Sequence, residues 1–217
     1  MITFAWIGYN EEQYIPCWKD IVDSVKKGDI HVKKVVLIGD SIRLIGYGKR
    51  VEELLGNQCT VWQPEDNCRF AKYTLRMLFD YQQSIQDADV IHWNNGLWDA
   101  CDIFGDGPFT PLEEYVNNML RIAQLLQSYG KKVIFATTTP THPDYPYHTL
   151  ERIQHYNETI VPLLRARGVE INDLFSLMVD HRIDGICEDK IHLSSVGIEL
   201  CAAQTAAVIK KALGENV

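Results

Sequence analysis

Five short apolar runs, each followed by a turn and then by a stretch with helical spacing, restrict the architectures open to this chain. The runs are Val35-Val36-Leu37-Ile38, Cys59-Thr60-Val61-Trp62, Val90-Ile91-His92-Trp93, Val133-Ile134-Phe135-Ala136 and Val169-Glu170-Ile171-Asn172. Runs this short and rich in β-branched residues read as strands, and unbroken apolarity reads as burial on both faces. Between them apolar residues recur at a period near 3.6. Val51, Leu54 and Leu55 mark a helix over 47–55, and Leu75, Leu78, Phe79 and Gln82 mark one over 70–85. Tyr115, Met119, Ile122, Ala123 and Leu126 follow Pro111; Leu150, Ile153, Ile160, Val161 and Leu164 form the next set. A short helix carries Leu174, Leu177 and Met178, and a last one with Val196, Leu200, Ala203, Val208 and Ile209 ends near Leu213. Strands alternating with helices predict a parallel sheet with right-handed crossovers. The expected fold is a three-layer α/β/α sandwich around a five-stranded parallel sheet.

The chain of 217 residues suffices for one domain with a full core. We expect a single domain over 1–217, with residues 1–30 as an N-terminal extension packed on it. Within that extension, Cys17, Trp18, Ile21, Val22 and Val25 predict a helix over 16–28. The net charge of −8 and the lack of any basic run exclude nucleic acid and anionic membranes as expected partners. The apolar runs are too short to span a bilayer, and the first residues lack the basic region of a signal peptide. Six cysteines, none spaced C-x-x-C, suggest a reducing cytoplasm and no dithiol motif.

Chemistry is expected in loops that follow strands. The first apolar run stops at Gly39-Asp40-Ser41-Ile42. Glycine permits the turn, and Asp40 and Ser41 suit a helix entrance, so Ser41 reads either as a helix cap or as a nucleophile. Asp189-Lys190-Ile191-His192 stands just before the last helix. A serine nucleophile needs an imidazole to take its proton and a carboxylate to orient that imidazole, and Asp189 and His192 can meet within one loop. Position 43 is arginine, which argues against a Gly-x-Ser-x-Gly elbow, and residues 39–44 lack the second glycine of a dinucleotide-binding turn.

A Gly-Asp-Ser after the first core strand and an Asp-x-x-His before the last helix resemble the SGNH (GDSL) hydrolase family. The stretch Asn94-Asn95-Gly96-Leu97-Trp98-Asp99 falls where that family carries a Gly-x-Asn-Asp block, so the resemblance covers nearly the whole chain. It implies Ser41 as nucleophile, His192 as base and Asp189 as its partner, with no metal or organic cofactor. It also implies an oxyanion hole of three donors: the Ser41 N–H, a glycine N–H after the second strand, and an asparagine amide. Two departures stand out. Residues 64–70 (Pro-Glu-Asp-Asn-Cys-Arg-Phe) contain no glycine, so a backbone N–H of Cys68 or Arg69 is expected to serve. Trp98 occupies the asparagine position, so Asn94, or else Asn95, is expected to supply the amide.

Asp40, Asn95, Gly96 and Trp98 are the expected substrate contacts. Arg43 reads as a solvated helix residue or as a contact for an acidic group, and His92 as a core histidine. His142, Asp144, His148 and His155 do not share one element, so no metal site is expected. The polar loop with Trp98, Asp99, Asp102 and Asp106 suggests a small hydroxylated substrate. The expected activity is a serine esterase for short acyl esters, O-acetyl carbohydrate included, so the expected partner is a small-molecule or carbohydrate ester. The rival readings are acyl transfer through the same triad and a non-catalytic binding protein on the same fold. Nothing in the sequence signals an oligomeric state.

Overall fold

The computed structural model describes residues 32–214. The helix expected over 16–28 and the extension of residues 1–30 lie outside the described residues. Five strands, β1 (Lys33–Ile38), β2 (Cys59–Trp62), β3 (Ala88–Asn94), β4 (Gly130–Ala136) and β5 (Glu170–Asn172), form one parallel sheet in the order β2-β1-β3-β4-β5. The connection from β1 leads outward to β2, and the chain then returns to lay β3 on the other side of β1. The order therefore reverses between β1 and β3, and the crevice at their carboxyl ends is where open α/β sheets bind ligands.

The helices are α1 (Gly48–Leu55), α2 (Ala71–Asp80), α3 (Leu112–Tyr129), α4 (Leu150–Arg165), α5 (Leu174–Val179) and α6 (Ser195–Leu213). Helix α1 packs on α6, while α3 packs between α2 and α4. Right-handed crossovers place these two groups on opposite faces of the sheet, giving three layers. Val35, Val36 and Leu37 are wholly buried, as are Val90, Ile91, Ile134 and Phe135. Their cover comes from Met119, Ile122 and Leu126 of α3 and from Val51, Leu55, Cys201 and Ile209 of α1 and α6. Among the described residues no helix is long and apolar enough to cross a membrane.

Two helix boundaries differ from the sequence reading. The stretch 70–85 breaks at Tyr81, which leaves helical geometry and packs its ring 5.6 Å from that of Trp62; a single turn, Gln82–Ile85, follows. The helical path before α1 begins five residues earlier than the apolar spacing shows, as a widened turn over Ile42–Tyr47. Both differences arise from tertiary contacts that helical periodicity does not encode.

Candidate active site

At the end of β1 the chain turns over Gly39. A Cβ there would overlap the Asn94 side chain and crowd Arg43, so glycine is what lets the end of β3 lie this close. The Asp40 carbonyl accepts from the N–H groups of Arg43 and Leu44 (3.2 and 3.0 Å), and its Oδ1 accepts from Ile42 N–H (2.9 Å). The turn then widens: Gly48 N–H reaches five residues back to the Arg43 carbonyl, and Gly46 leaves helical geometry. This geometry turns Arg43 and Tyr47 into the core. Ser41 stands at the mouth of the turn, 8% exposed. Its N–H is among the first donors of a helical path, which have no acceptor within the helix.

Asp189 and His192 sit on a tight hairpin closed by an antiparallel bridge between Ile186 and Leu193. Cys187 N–H donates to the His192 carbonyl (2.8 Å) and Ser194 N–H to the Gly185 carbonyl (3.0 Å). Asp189 divides its two oxygens between loop and ring. Oδ1 accepts from the N–H groups of Ile191 (3.0 Å) and His192 (2.9 Å) and from the Cys187 thiol (3.1 Å), while Oδ2 lies 2.7 Å from His192 Nδ1. Burial acts to raise the Asp189 carboxyl, but these hydrogen bonds outweigh it and hold it well below the usual carboxylate range. A carboxylate only accepts, so Nδ1 carries the proton and Nε2 is left with its lone pair.

On the other side of the crevice, Asn94 ends β3 and is nearly buried. Its Nδ2 donates to Asp40 Oδ1 (2.8 Å) and its Oδ1 accepts from the Tyr47 hydroxyl (2.9 Å). Burial pushes the Asp40 carboxyl up to about 6, against the pull of Asn94 and Ile42. Once ionised, Asp40 requires the amide nitrogen on its side, so Tyr47 must donate and one Asn94 N–H remains outside these two bonds. Next to this network His92 is wholly buried, its Nε2 3.0 Å from Asn172 Nδ2, and burial lowers its pKa to about 3.

The segment 64–70 is bound to the Ser41 turn at several points. Arg43, neither solvated nor facing a ligand, is 1% exposed and donates to the carbonyls of Pro64 (2.8 Å), Asp66 (2.8 Å) and Gly39 (3.2 Å). Cys68 N–H donates to the Gly39 carbonyl (3.1 Å), and Arg69 N–H to Asn67 Oδ1 (2.7 Å). The two backbone donors expected to fill the glycine's place are thus both engaged inside the protein. Arg69 also takes a left-handed φ of 48°, rare for a side chain of its size.

Of the four expected substrate contacts, the structure brings Trp98 alone to the cleft. Asn95 is fully buried: Oδ1 accepts from the Thr74 hydroxyl (2.9 Å) and Trp93 Nε1 (2.8 Å), and Nδ2 donates to the Arg69 carbonyl (2.9 Å). Its amide braces the loop instead of facing a ligand. Gly96, with φ 133°, lies against the Thr138 hydroxyl, where a Cβ has no room. Asp40 is occupied with Asn94 and Ile42. The loop acids are not cleft residues either. Asp99 is wholly buried and accepts Ala71 N–H at the start of α2 (3.0 Å), and burial raises its carboxyl to about 7. Asp102 pairs with Arg152 (3.2 Å).

The cleft itself has a volume of about 520 Å³ and brings Ser41 and His192 together. Leu44, Ile45, Leu97, Ile103 and Ile191 make it mostly apolar, with Trp98, Tyr145 and Tyr147 as aromatic walls. His148, absent from the expected site, lies at its side. Its Nε2 is 2.6 Å from the Leu97 carbonyl, which only accepts, so Nε2 carries the proton; the ring stacks on Tyr145. Asn67 also lines the cleft; the sequence points instead to a backbone donor in its loop. Among the described residues no three His, Cys, Asp or Glu side chains gather as metal ligands would.

No family model matches the chain. Individual relatives do. Over 209 residues it is 34% identical to the GDSL esterase/lipase CPRD49 of Arabidopsis thaliana, covering 82% of this chain and 79% of that protein. It is 28% identical over 162 residues to the GDSL esterase/lipase WDL1 of Oryza sativa subsp. japonica, covering 67% of this chain and 62% of the relative. Among solved structures, the fold is similar to the acetyl xylan esterase AlAXEase (TM-score 0.67, 20% identity, 81% of this chain and 99% of the other). It is equally similar to the lipase/acylhydrolase from Enterococcus faecalis (TM-score 0.67, 21% identity, 83% and 96%). Shared sequence over most of its length shows that the chain belongs to the SGNH (GDSL) family, whose members are serine hydrolases of ester bonds.

Proposed function

We propose that Ser41, His192 and Asp189 are the catalytic triad, and that the substrate is a short-chain acyl ester, O-acetyl groups on carbohydrate included. Ser41 Oγ attacks the carbonyl carbon while His192 Nε2 takes its proton. The same imidazolium then protonates the departing alcohol, leaving an acyl-serine. Water, deprotonated by His192, attacks that acyl group and releases the acid. Asp189 keeps the proton of the neutral ring on Nδ1 and stabilises the imidazolium formed in each step. The Ser41 N–H and the Asn94 amide face the developing oxyanion.

The single observation that carries this reading is the Asp189–His192 couple, 2.7 Å apart, with His192 lining the same cleft as Ser41. The acetyl preference draws support from the aromatic walls and from fold neighbours that are acetyl xylan esterases. A second reading of the substrate rests on the cleft's size. About 520 Å³ of mainly apolar space far exceeds an acetyl group and suits an ester with a longer acyl chain or a bulky apolar alcohol.

Hydrolysis of p-nitrophenyl esters of increasing acyl length, wild type beside Ser41→Ala, separates these readings. Turnover should fall by at least about 10⁴-fold in the variant. A rate that drops steeply beyond the butyrate supports the short-chain reading; a maximum at six to ten carbons supports the second. Equal activity in wild type and variant would remove Ser41 from the mechanism.

A further inference from the structure

We infer that the side-chain amide of Asn67 is an oxyanion donor in this enzyme, replacing the glycine N–H that its loop lacks. This rests on the proposed role of Ser41 as nucleophile. Acyl transfer builds charge on the carbonyl oxygen, and the donors that meet it must be held in place before the reaction begins. Around the second strand's exit loop, the backbone donors of Asn67, Cys68 and Arg69 are already engaged, by Asp66 Oδ1 (2.7 Å), the Gly39 carbonyl (3.1 Å) and Asn67 Oδ1 (2.7 Å). The Asn67 side chain lines the cleft beside Ser41 and His192.

Chemistry settles which end of that amide is available. Arg69 N–H can only donate, so the Asn67 atom facing it is the oxygen, and Nδ2 points the other way. Among the described residues Nδ2 has no hydrogen-bond partner. Its neighbours on both sides are immobilised. The Asp66 carbonyl is bound by Arg43, Cys68 N–H by Gly39, the Cys68 carbonyl by the Thr74 hydroxyl (3.0 Å), and the Arg69 carbonyl by Asn95 (2.9 Å). Two of those ties, from Cys68 and Arg43, end on Gly39 and on the residue after Ile42, so they fasten Asn67 to the nucleophile turn itself. The Asn67 oxygen reaches the N–H two residues on (2.7 Å), an Asx turn that fixes the orientation of the amide.

The decisive variant is Asn67→Asp. A carboxylate keeps an acceptor for Arg69 N–H and so keeps the brace, but removes the Nδ2 donor. With p-nitrophenyl acetate, kcat should fall by about 100-fold or more in Asn67→Asp and by about 100-fold in Asn67→Ala, while KM changes less than about threefold. Melting curves establish that the Asp variant is folded. Asn67→Asp and Asn67→Ala enzymes with kcat within about threefold of wild type would overturn the inference. So would full activity in Asn67→Gly, since the backbone N–H at 67 would then be the donor. Failure of the triad reading looks different: Ser41→Ala would retain activity, whatever residue 67 does.

Discussion

The two halves of the proposed catalytic centre are built in opposite ways. The base half is one exposed hairpin. Asp189 and His192, with side chains 47% and 27% accessible, find each other three residues apart, and the loop's own N–H groups hold the carboxylate. The nucleophile half is buried and draws on four segments far apart in sequence: the turn 39–47, the loop 64–70, Asn94 with Asn95, and Thr74 on α2. Its order depends on Arg43 and the Tyr47–Asn94–Asp40 chain. A local device can be altered with little effect on the fold. A distributed one cannot, because each member leaves several buried partners unpaired when removed.

The largest expected effect probes the local half. Asp189→Asn keeps an oxygen for the Ile191 and His192 N–H groups but can place an N–H against His192 Nδ1, which forces the proton to the wrong nitrogen. We expect kcat to fall by about 10⁴-fold, with a melting temperature within about 3 °C of wild type. A large loss of stability in this variant would break the contrast between the halves.

Arg43→Met probes the distributed half. It leaves the carbonyls of Pro64 and Asp66 without their donor in a buried setting, and unfolding free energy should drop by roughly 3 kcal/mol, with activity falling alongside. Urea denaturation read beside esterase rate checks both. Unchanged stability would mean that the loop is held without the guanidinium.

The smallest effect sharpens the comparison through pH. Asp99, raised to about 7, and Asp40, raised to about 6, bind their protons more tightly in the folded protein than in the unfolded chain. Their stabilising contribution is complete below the unfolded value near 3.8 and is lost as pH rises through 6 to 7. For Asp99 alone this amounts to about 2 kcal/mol between pH 5 and 8. In Asp99→Asn that part of the slope should vanish, so that the variant gains on wild type at pH 8 in denaturation curves. Asp189, whose carboxyl is depressed, acts in the opposite direction and only in acid. A wild-type stability that rises from pH 5 to 8 would count against the buried acids.

What could be read beforehand follows the same division. The five strands, their parallel order of alternation and the Asp-x-x-His segment were legible because each depends on neighbours within a few residues. The role of Asn95 was not, since its amide is bound to Thr74, Trp93 and Arg69, partners that only the packing of α2 and the exit loop on β3 assembles. Polarity alone makes the loop aspartates look like cleft residues. Asp99 instead satisfies the start of α2, and Asp102 meets Arg152 on α4.

The sequence by itself determined the sheet, the helices, the turn that presents Ser41 and the hairpin that pairs Asp189 with His192. Apolar period and short-range hydrogen bonding are properties of the local chain, and they survive whatever surrounds it. Tertiary structure alone decided that Arg43 is buried, that the cleft walls are apolar, and that Asn67 meets the cleft with an amide nitrogen that has no hydrogen-bond partner among the described residues. A side chain's burial and its partners are set by which distant strand and loop ends come to lie beside it, and the reversal of strand order between β1 and β3 is what brings those ends together.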